Sequence, residues 1–239
     1  MKVLYLECNM GAAGDMLMSA LYEVCPLAIR EEFLLVMNDL MSDVVVAAET
    51  MERSGIQGTH IQVLVHGEEE ESHDHHQEGD HAHNHMHGSA HVHSSLEDIH
   101  RSIVDMHIPE PVKIKACQVY DRIAAAESHA HGKEVTEIHF HEVGRKDAIA
   151  DVVGTCWLMH RLMPEQVIVS PIRTGYGQVL CAHGSMPVPA PATAYLLEGI
   201  PSYSGDIEGE LCTPTGAALI GTFADTYGMM PMMTTERVG

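Results

Sequence analysis

The sequence predicts an α/β or mixed α+β fold, in which strands and helices alternate around one disordered, histidine-rich loop. Three observations carry that expectation. Short β-rich runs such as "KVLYLEC" and "QVIVSPI" alternate with longer segments of helical spacing such as "AIREEFLLVMNDL". Gly and Pro stand at many of the joints between them. Hydrophobic residues make up 45% of the 239, enough for a real core. Only 5% are aromatic while 16 are Met, so that core leans on aliphatic side chains and on Met, which tolerates irregular packing.

Taken in order, "KVLYLEC" reads as a buried strand, "NMGAAGD" as a Gly-rich turn and "MLMSALYEV" as a helix. "AIREEFLLVMNDL" is a second amphipathic helix. "DVVVAAETMERSGIQGTHIQVLVHG" reads as two strands around a turn at Gly55 and Gly58. "SSLEDIHRSIVDM" opens with a cap at Ser94 or Ser95 and an acidic first turn. "PEPVKIKACQVYDRIAAAESHAHG" is a long helix with Pro near its start and Gly132 past its end. "EIHFHEV" is strand-like, and "GRKDAIADVVGTCWLMHRLM" is a helix stopped near Pro164. Then come strands at "QVIVSPI" and "GYGQVLCAHG" and a short helix at "PATAYLLEG". A last strand is followed by a helix from about Thr215. Residues 1–66 form an N-terminal α/β segment, 67–93 an acidic, histidine-rich loop, and 94–239 the remainder of the same domain.

That loop concentrates nine of the 19 histidines between His73 and His93, behind an acidic run that includes Glu68, Glu69, Glu70 and Glu71. It has no apolar periodicity, which predicts disorder. Interleaved acid and imidazole make it a cation-attracting tether. The net charge is −21, from 34 acids against 13 Lys and Arg, so phosphate backbones are repelled and nucleic acid is not an expected partner. The first residues lack a long apolar signal region, and no run of ~18 apolar residues spans a bilayer. The six cysteines include no CxxC pair. A reduced, cytoplasmic protein with free thiols and no membrane partner is expected.

Four stretches carry candidate chemistry. In "HFHEVGRKDAIAD", His139 and His141 would project from one face of a strand and Glu142 from the other. Gly144 lets the chain turn, and Asp147 and Asp151 then share one face of the following helix. Two imidazoles and two carboxylates around one corner suit a metal ion. Upstream, Glu127, His129 and His131 end the preceding helix. The alternative for Asp147 is a plain dipole partner. In "CNMGAAGDM", Gly11 and Gly14 before a helix suit a phosphate, without the Lys of a P-loop, and Asp15 follows in the first turn. A tight turn explains them equally. In "CTPTGAAL", Thr213 or Thr215 caps a helix, and the hydroxyls with Gly216 also make an oxyanion cradle. In "AHGSMPVPAPAT", His183 lies in a Gly-flanked turn ahead of a rigid, proline-alternating segment.

The order and spacing of "YLECNMGAAGDM", "HFHEVGRKDAIADVVG", "HGSMPVPAPAT" and "CTPTGAAL" resemble the N-terminal part of the LarC family, the nickel insertion proteins of nickel-pincer nucleotide biosynthesis. The resemblance runs from Met1 to about Met233, interrupted by the histidine-rich loop. Glu7 stands where many relatives have Asp, and "NM" replaces the "FS" often found before the first Gly. Relatives continue well beyond this length, so the chain looks like the first half of a split protein or a truncated form.

The resemblance implies insertion of Ni(II) into a pyridinium mononucleotide bearing two thiocarboxylates. The reaction consumes CTP, bound with a divalent metal by the missing C-terminal half. The product serves lactate racemase and related enzymes, so delivery to such an apoenzyme is implied. On this reading His139, His141, Asp147 and Asp151 bind nickel transiently, and Glu142 or His183 accepts the ring proton. Gly11 to Gly14, with Asp15, and Thr213 to Gly216 hold the mononucleotide. Two other readings stay open. One is a nickel metallochaperone or storage protein centred on the histidine loop. The other is a metal-dependent hydrolase using the same cluster.

Overall fold

The computed structural model describes residues 1–69, 94–140, 143–181 and 184–239. The chain opens with β1 (Val3–Leu6), α1 (Gly14–Val24) and α2 (Leu27–Leu40). Next come β2 (Val44–Arg53), β3 (Ile56–Val65), β4 (Glu68–Glu69) and β5 (Ser94–Ser95). Helices α3 (Leu96–Asp105) and α4 (Glu110–His131) precede β6 (His139–Phe140) and α5 (Lys146–Leu162). The rest is β7 (Gln166–Val169), β8 (Ile172–Arg173), β9 (Gln178–Cys181), β10 (Gly184–Pro187), α6 (Pro191–Leu196), β11 (Ser202–Tyr203), α7 (Pro214–Phe223) and β12 (Thr226–Tyr227). The alternation expected from the sequence is present.

A parallel sheet runs in the order β1-β7-β12, with Val3 opposite Gln166 and Thr226 opposite Ile168. β2, β3 and β4 form an antiparallel sheet, and β9–β10, β8–β11 and β5–β6 are two-stranded pairs. Helix α5 is the centre. Its buried residues include Ile149, Val152, Val153, Cys156, Trp157 and Leu158, so it is covered on every side, as an all-round apolar helix must be. α1, α2, α4, α7 and β3 pack around it. Phe33 bridges Tyr22 and Trp157, each ring centroid 5.7 Å from its own.

Local chemistry explains most boundaries. Ser95 caps α3 in a capping box with Asp98, and Gly132 ends α4 in the left-handed region at φ 62°. Thr213 caps α7. Three expectations are corrected. The β2–β3 turn lies at Ser54 and Gly55, while Gly58 sits inside β3. Glu68 and Glu69 extend the hairpin as β4, because His66 and Gly67 supply the two positive-φ residues that a tight turn needs. The loop expected from residue 67 therefore starts later, and residues 70–93 lie outside the described residues. The strand expected over "EIHFHEV" begins later, because Glu137 ends a 3₁₀ turn at Val135–Glu137; among the described residues it covers His139–Phe140. Among the described residues its partner is Ser94–Ser95. Phe140 enters the core against Tyr120 at 6.3 Å between ring centroids. All six cysteines are free thiols, and no helix among the described residues is long and apolar enough to cross a membrane.

Gly154 marks the closest approach on α5. A Cβ there would meet Met18 Sδ at 2.5 Å, Met37 Cε at 3.2 Å and Phe33 Cζ at 3.3 Å. Gly154→Val should therefore cost about 1–3 kcal/mol through overpacking, read as a lower urea midpoint at unchanged slope. Unchanged stability would show that α1 and α2 do not press on α5 as described.

Candidate metal and substrate site

Two stretches that lie far apart in sequence form one junction. After β1 the chain turns through Cys8 to Gly11, whose amide donates to the Cys8 carbonyl at 3.1 Å. Ala12 N then donates to Leu211 O at 2.8 Å, and Thr213 N returns to Ala12 O at 3.0 Å. Gly11 has φ +93°, and a Cβ on it would land on the Leu211 carbonyl. A Cβ on Gly216 would land on the Ala12 carbonyl. Thr213 Oγ1 accepts from Gly216 N at 3.2 Å and fixes the first turn of α7. The two predicted cradles are thus laced to each other. The glycines at 11 and 216 let chain segments touch.

Asp151 closes the junction from α5. The Cβ position of Gly14 lies 2.9 Å from Asp151 Cβ, 3.0 Å from its Oδ2 and 3.1 Å from Thr215 Cγ2. One carboxylate therefore sits where the N-terminal ends of α1 and α7 meet. Burial pushes the Asp151 carboxyl well above the usual carboxylate range, and the charges of Asp15 and Asp147 push it further. The predicted Asp147–Asp151 face of α5 exists, and Asp15 from α1 joins it electrostatically. Lys146 forms an ion pair with Asp43 just before β2 and ties down the start of α5.

Tyr120 is the neighbour the sequence does not single out. It is fully buried on α4, and its hydroxyl donates to Val143 O at 3.1 Å. Burial raises its pKa first, then Asp151 and Asp147. The available signal is its place on the apolar stripe of Val112, Ala116, Val119 and Ile123, where a hydroxyl needs a partner. Two thiols also lie close by. Burial and then Glu7 raise Cys8 to about 11; burial, then Cys8 and Glu210, raise Cys212 to about 12. Both therefore stay protonated at neutral pH and are poor metal ligands at rest.

The histidine side of the corner is placed less completely. His139 is exposed and lies opposite Ser95 in the β5–β6 pair, where hydrogen bonds from Ser95 and then the Arg101 charge hold Asp98 below the usual carboxylate range. His141, Glu142 and His183 lie outside the described residues. Glu127 and His131 pair with each other at 3.4 Å, and His129 stacks on Tyr195 at 4.4 Å between centroids. Among the described residues no three His, Cys, Asp or Glu side chains gather as a metal-holding group.

The sequence model of the nickel insertion protein family matches residues 4–239. Pyridinium-3,5-bisthiocarboxylic acid mononucleotide nickel insertion proteins are similar to the whole chain. Those of Desulfitobacterium hafniense, Geobacillus kaustophilus and Staphylococcus epidermidis are 40%, 36% and 35% identical over 100% of it. The match covers 54%, 55% and 54% of those proteins, so the chain spans about half the length of the curated relatives it matches. No solved structure matches it.

The raised carboxyl gives a signed prediction. An acid whose folded pKa exceeds its unfolded value of about 3.9 makes the folded state bind more protons, so stability falls as pH rises above that value. Asp151→Asn removes this penalty. Its melting temperature should match wild type near pH 4 and exceed it increasingly towards pH 8, while nickel affinity at pH 8 drops. A variant less stable than wild type at every pH would contradict the charge penalty.

Proposed function

The chain belongs to the nickel insertion protein family, and from that premise we propose that it inserts nickel into pyridinium-3,5-bisthiocarboxylic acid mononucleotide. The observation that carries this reading is the matched family spanning residues 4–239, laid over the junction at which Asp151, electrostatically coupled to Asp15 and Asp147, meets the starts of α1 and α7. Nickel is cargo in this reading. A site for cargo must bind and release, and a few carboxylates and imidazoles do so more readily than a closed thiolate cage.

The chemistry needs three services. Nickel must lose water, and Asp147 and Asp151 with His139 and His141 replace it with oxygen and nitrogen donors. The thiocarboxylate sulfurs of the substrate then complete the exchange, since soft sulfur suits nickel better than carboxylate does. The ring carbon between the thiocarboxylates must lose a proton as the nickel–carbon bond forms, and Glu142 or His183 accepts it. The mononucleotide must be held, by the turn from Gly11 to Asp15 and by the segment Thr213, Thr215 and Gly216. The activity is that of a metal chelatase of the lyase class. It consumes CTP, bound with a divalent metal by a C-terminal half that acts as partner, and the product passes to a lactate racemase-like apoenzyme.

The test supplies purified chain with nickel, the mononucleotide and CTP, with and without the C-terminal half of a relative. Pincer cofactor, identified by mass, should form only with both halves and CTP. Full yield from this chain without CTP would overturn the division of labour.

The nine histidines from His73 to His93 favour a second reading, storage of nickel without catalysis. In our reading they raise the local nickel concentration for the corner, since an ion held nearby reaches a second site as an intramolecular event. Deleting residues 70–93 should lower the nickel bound per chain and slow insertion only when nickel is scarce. Changing His139 and His141 together to Ala should abolish insertion even at saturating nickel. The reverse pattern would favour storage.

A further inference from the structure

A second cluster lies on the other side of the β1–α1 turn. Arg173 ends β8 and is the register partner of Tyr203 in β11. Its amide donates to Cys8 O at 3.1 Å and its Nη1 to Asn9 O at 3.5 Å. The Tyr203 hydroxyl reaches Asn9 Oδ1 at 3.4 Å, and Asn9 Nδ2 holds the Glu7 carboxylate at 2.7 Å. The guanidinium thus lies at the carboxyl end of the β1–β7 pair, the edge at which open α/β sheets bind ligands.

Three features separate this arginine from a surface cation. Its side chain is only 14% exposed in a chain of net charge −21. Its Nε is shielded from solvent and has no hydrogen-bond partner among the described residues. Gly205, at φ +73°, makes the room for it, because a Cβ there would land on the guanidinium. The carboxylate paired with its Nη2 belongs to Asp206, whose side chain is 93% exposed. A hydrated carboxylate binds weakly in such a pair, whereas a desolvated guanidinium needs a firm counter-charge. The Nε–H stays packed against Gly205, and an Nη freed from Asp206 offers a charge-assisted N–H donor, which matches a phosphate oxygen.

We propose that Arg173 receives the phosphate of the pyridinium mononucleotide, displacing Asp206, with the Tyr203 hydroxyl turning from Asn9 Oδ1 to serve as a second donor. The assignment rests on the insertion reading and extends it, by giving the substrate's phosphate a cationic partner beside the glycine turn. Glu7 and the displaced Asp206 are neighbouring carboxylates that oppose an anion, and Glu7 is hydrogen-bonded by the Asn9 amide.

Calorimetric titration of the full chain with the mononucleotide and with its dephosphorylated nucleoside tests this. Wild type should prefer the mononucleotide by roughly 10- to 100-fold, the factor that charge-assisted hydrogen bonds are worth. Arg173→Gln should lose that preference and Arg173→Lys should recover part of it. Asp206→Asn, at an exposed position that the fold does not need, should bind the mononucleotide several-fold tighter and the nucleoside unchanged. A preference that survives in Arg173→Gln overturns the assignment, and so does an Asp206→Asn variant with both affinities unchanged. Equal binding of both compounds by wild type sinks the phosphate assignment alone. Binding of neither sinks the insertion reading and the assignment with it.

Discussion

One carboxylate held between two helix starts is the constraint on which the junction depends. Asp151 lies against Gly14 at the beginning of α1 and beside Thr215 at the beginning of α7. Helix N-termini carry partial positive charge and would by themselves favour an ionised acid. Burial and two further carboxylates outweigh them, and the Asp151 pKa is raised well above the usual carboxylate range. A metal cation beside Asp151 would reverse that balance by favouring the ionised carboxylate. The acid is tolerated there because α5, which carries Asp151, is packed into the core on either side of it, at Ile149 and Ala150 and again from Val152 to Met159.

That anchoring links core to site. From Ile149 to Met159 every residue of α5 but Asp151 is buried, so the helix cannot shift as a body without disturbing Trp157, Phe33 and Met18. α4 brings Tyr120 to the same place and donates its hydroxyl to the loop that leads from β6 into α5. The β1–α1 turn and the α7 start are bound to each other by backbone hydrogen bonds. Carboxylates on α1 and α5 therefore hold their spacing without touching a common ligand. A site for passing cargo gains from this, because the scaffold need not be assembled by the ion it releases.

Helices were the legible part of the fold. Capping chemistry at Ser95 and Thr213, the Gly132 stop and the Pro164 stop are local signals, and the structure keeps each of them. Strand extent was less legible, because pairing is not local. "EIHFHEV" alternates like a strand from its first residue, yet Glu137 lies in a 3₁₀ turn, and among the described residues the pairing with Ser94 and Ser95 begins at His139. The acids of the site could be read from spacing, since Asp147 and Asp151 lie one helical turn apart. Their meeting with Asp15 could not, because it depends on how α1 crosses α5. The glycines at 11 and 216 were legible as special positions, but their reason lies in the carbonyls of Leu211 and Ala12. Tyr120 and Arg173 were illegible for a different reason. Each is an ordinary residue of its element until burial deprives it of water.

The central claim is that nickel is handled at the Asp151 junction. Diffraction at the nickel absorption edge from crystals soaked with nickel and the mononucleotide tests it most directly. The account predicts an anomalous peak at the Asp151 carboxylate, between the starts of α1 and α7. Peaks confined to the histidines of residues 73–93 or to the Cys8 and Cys212 thiols, with none at Asp151, would contradict it.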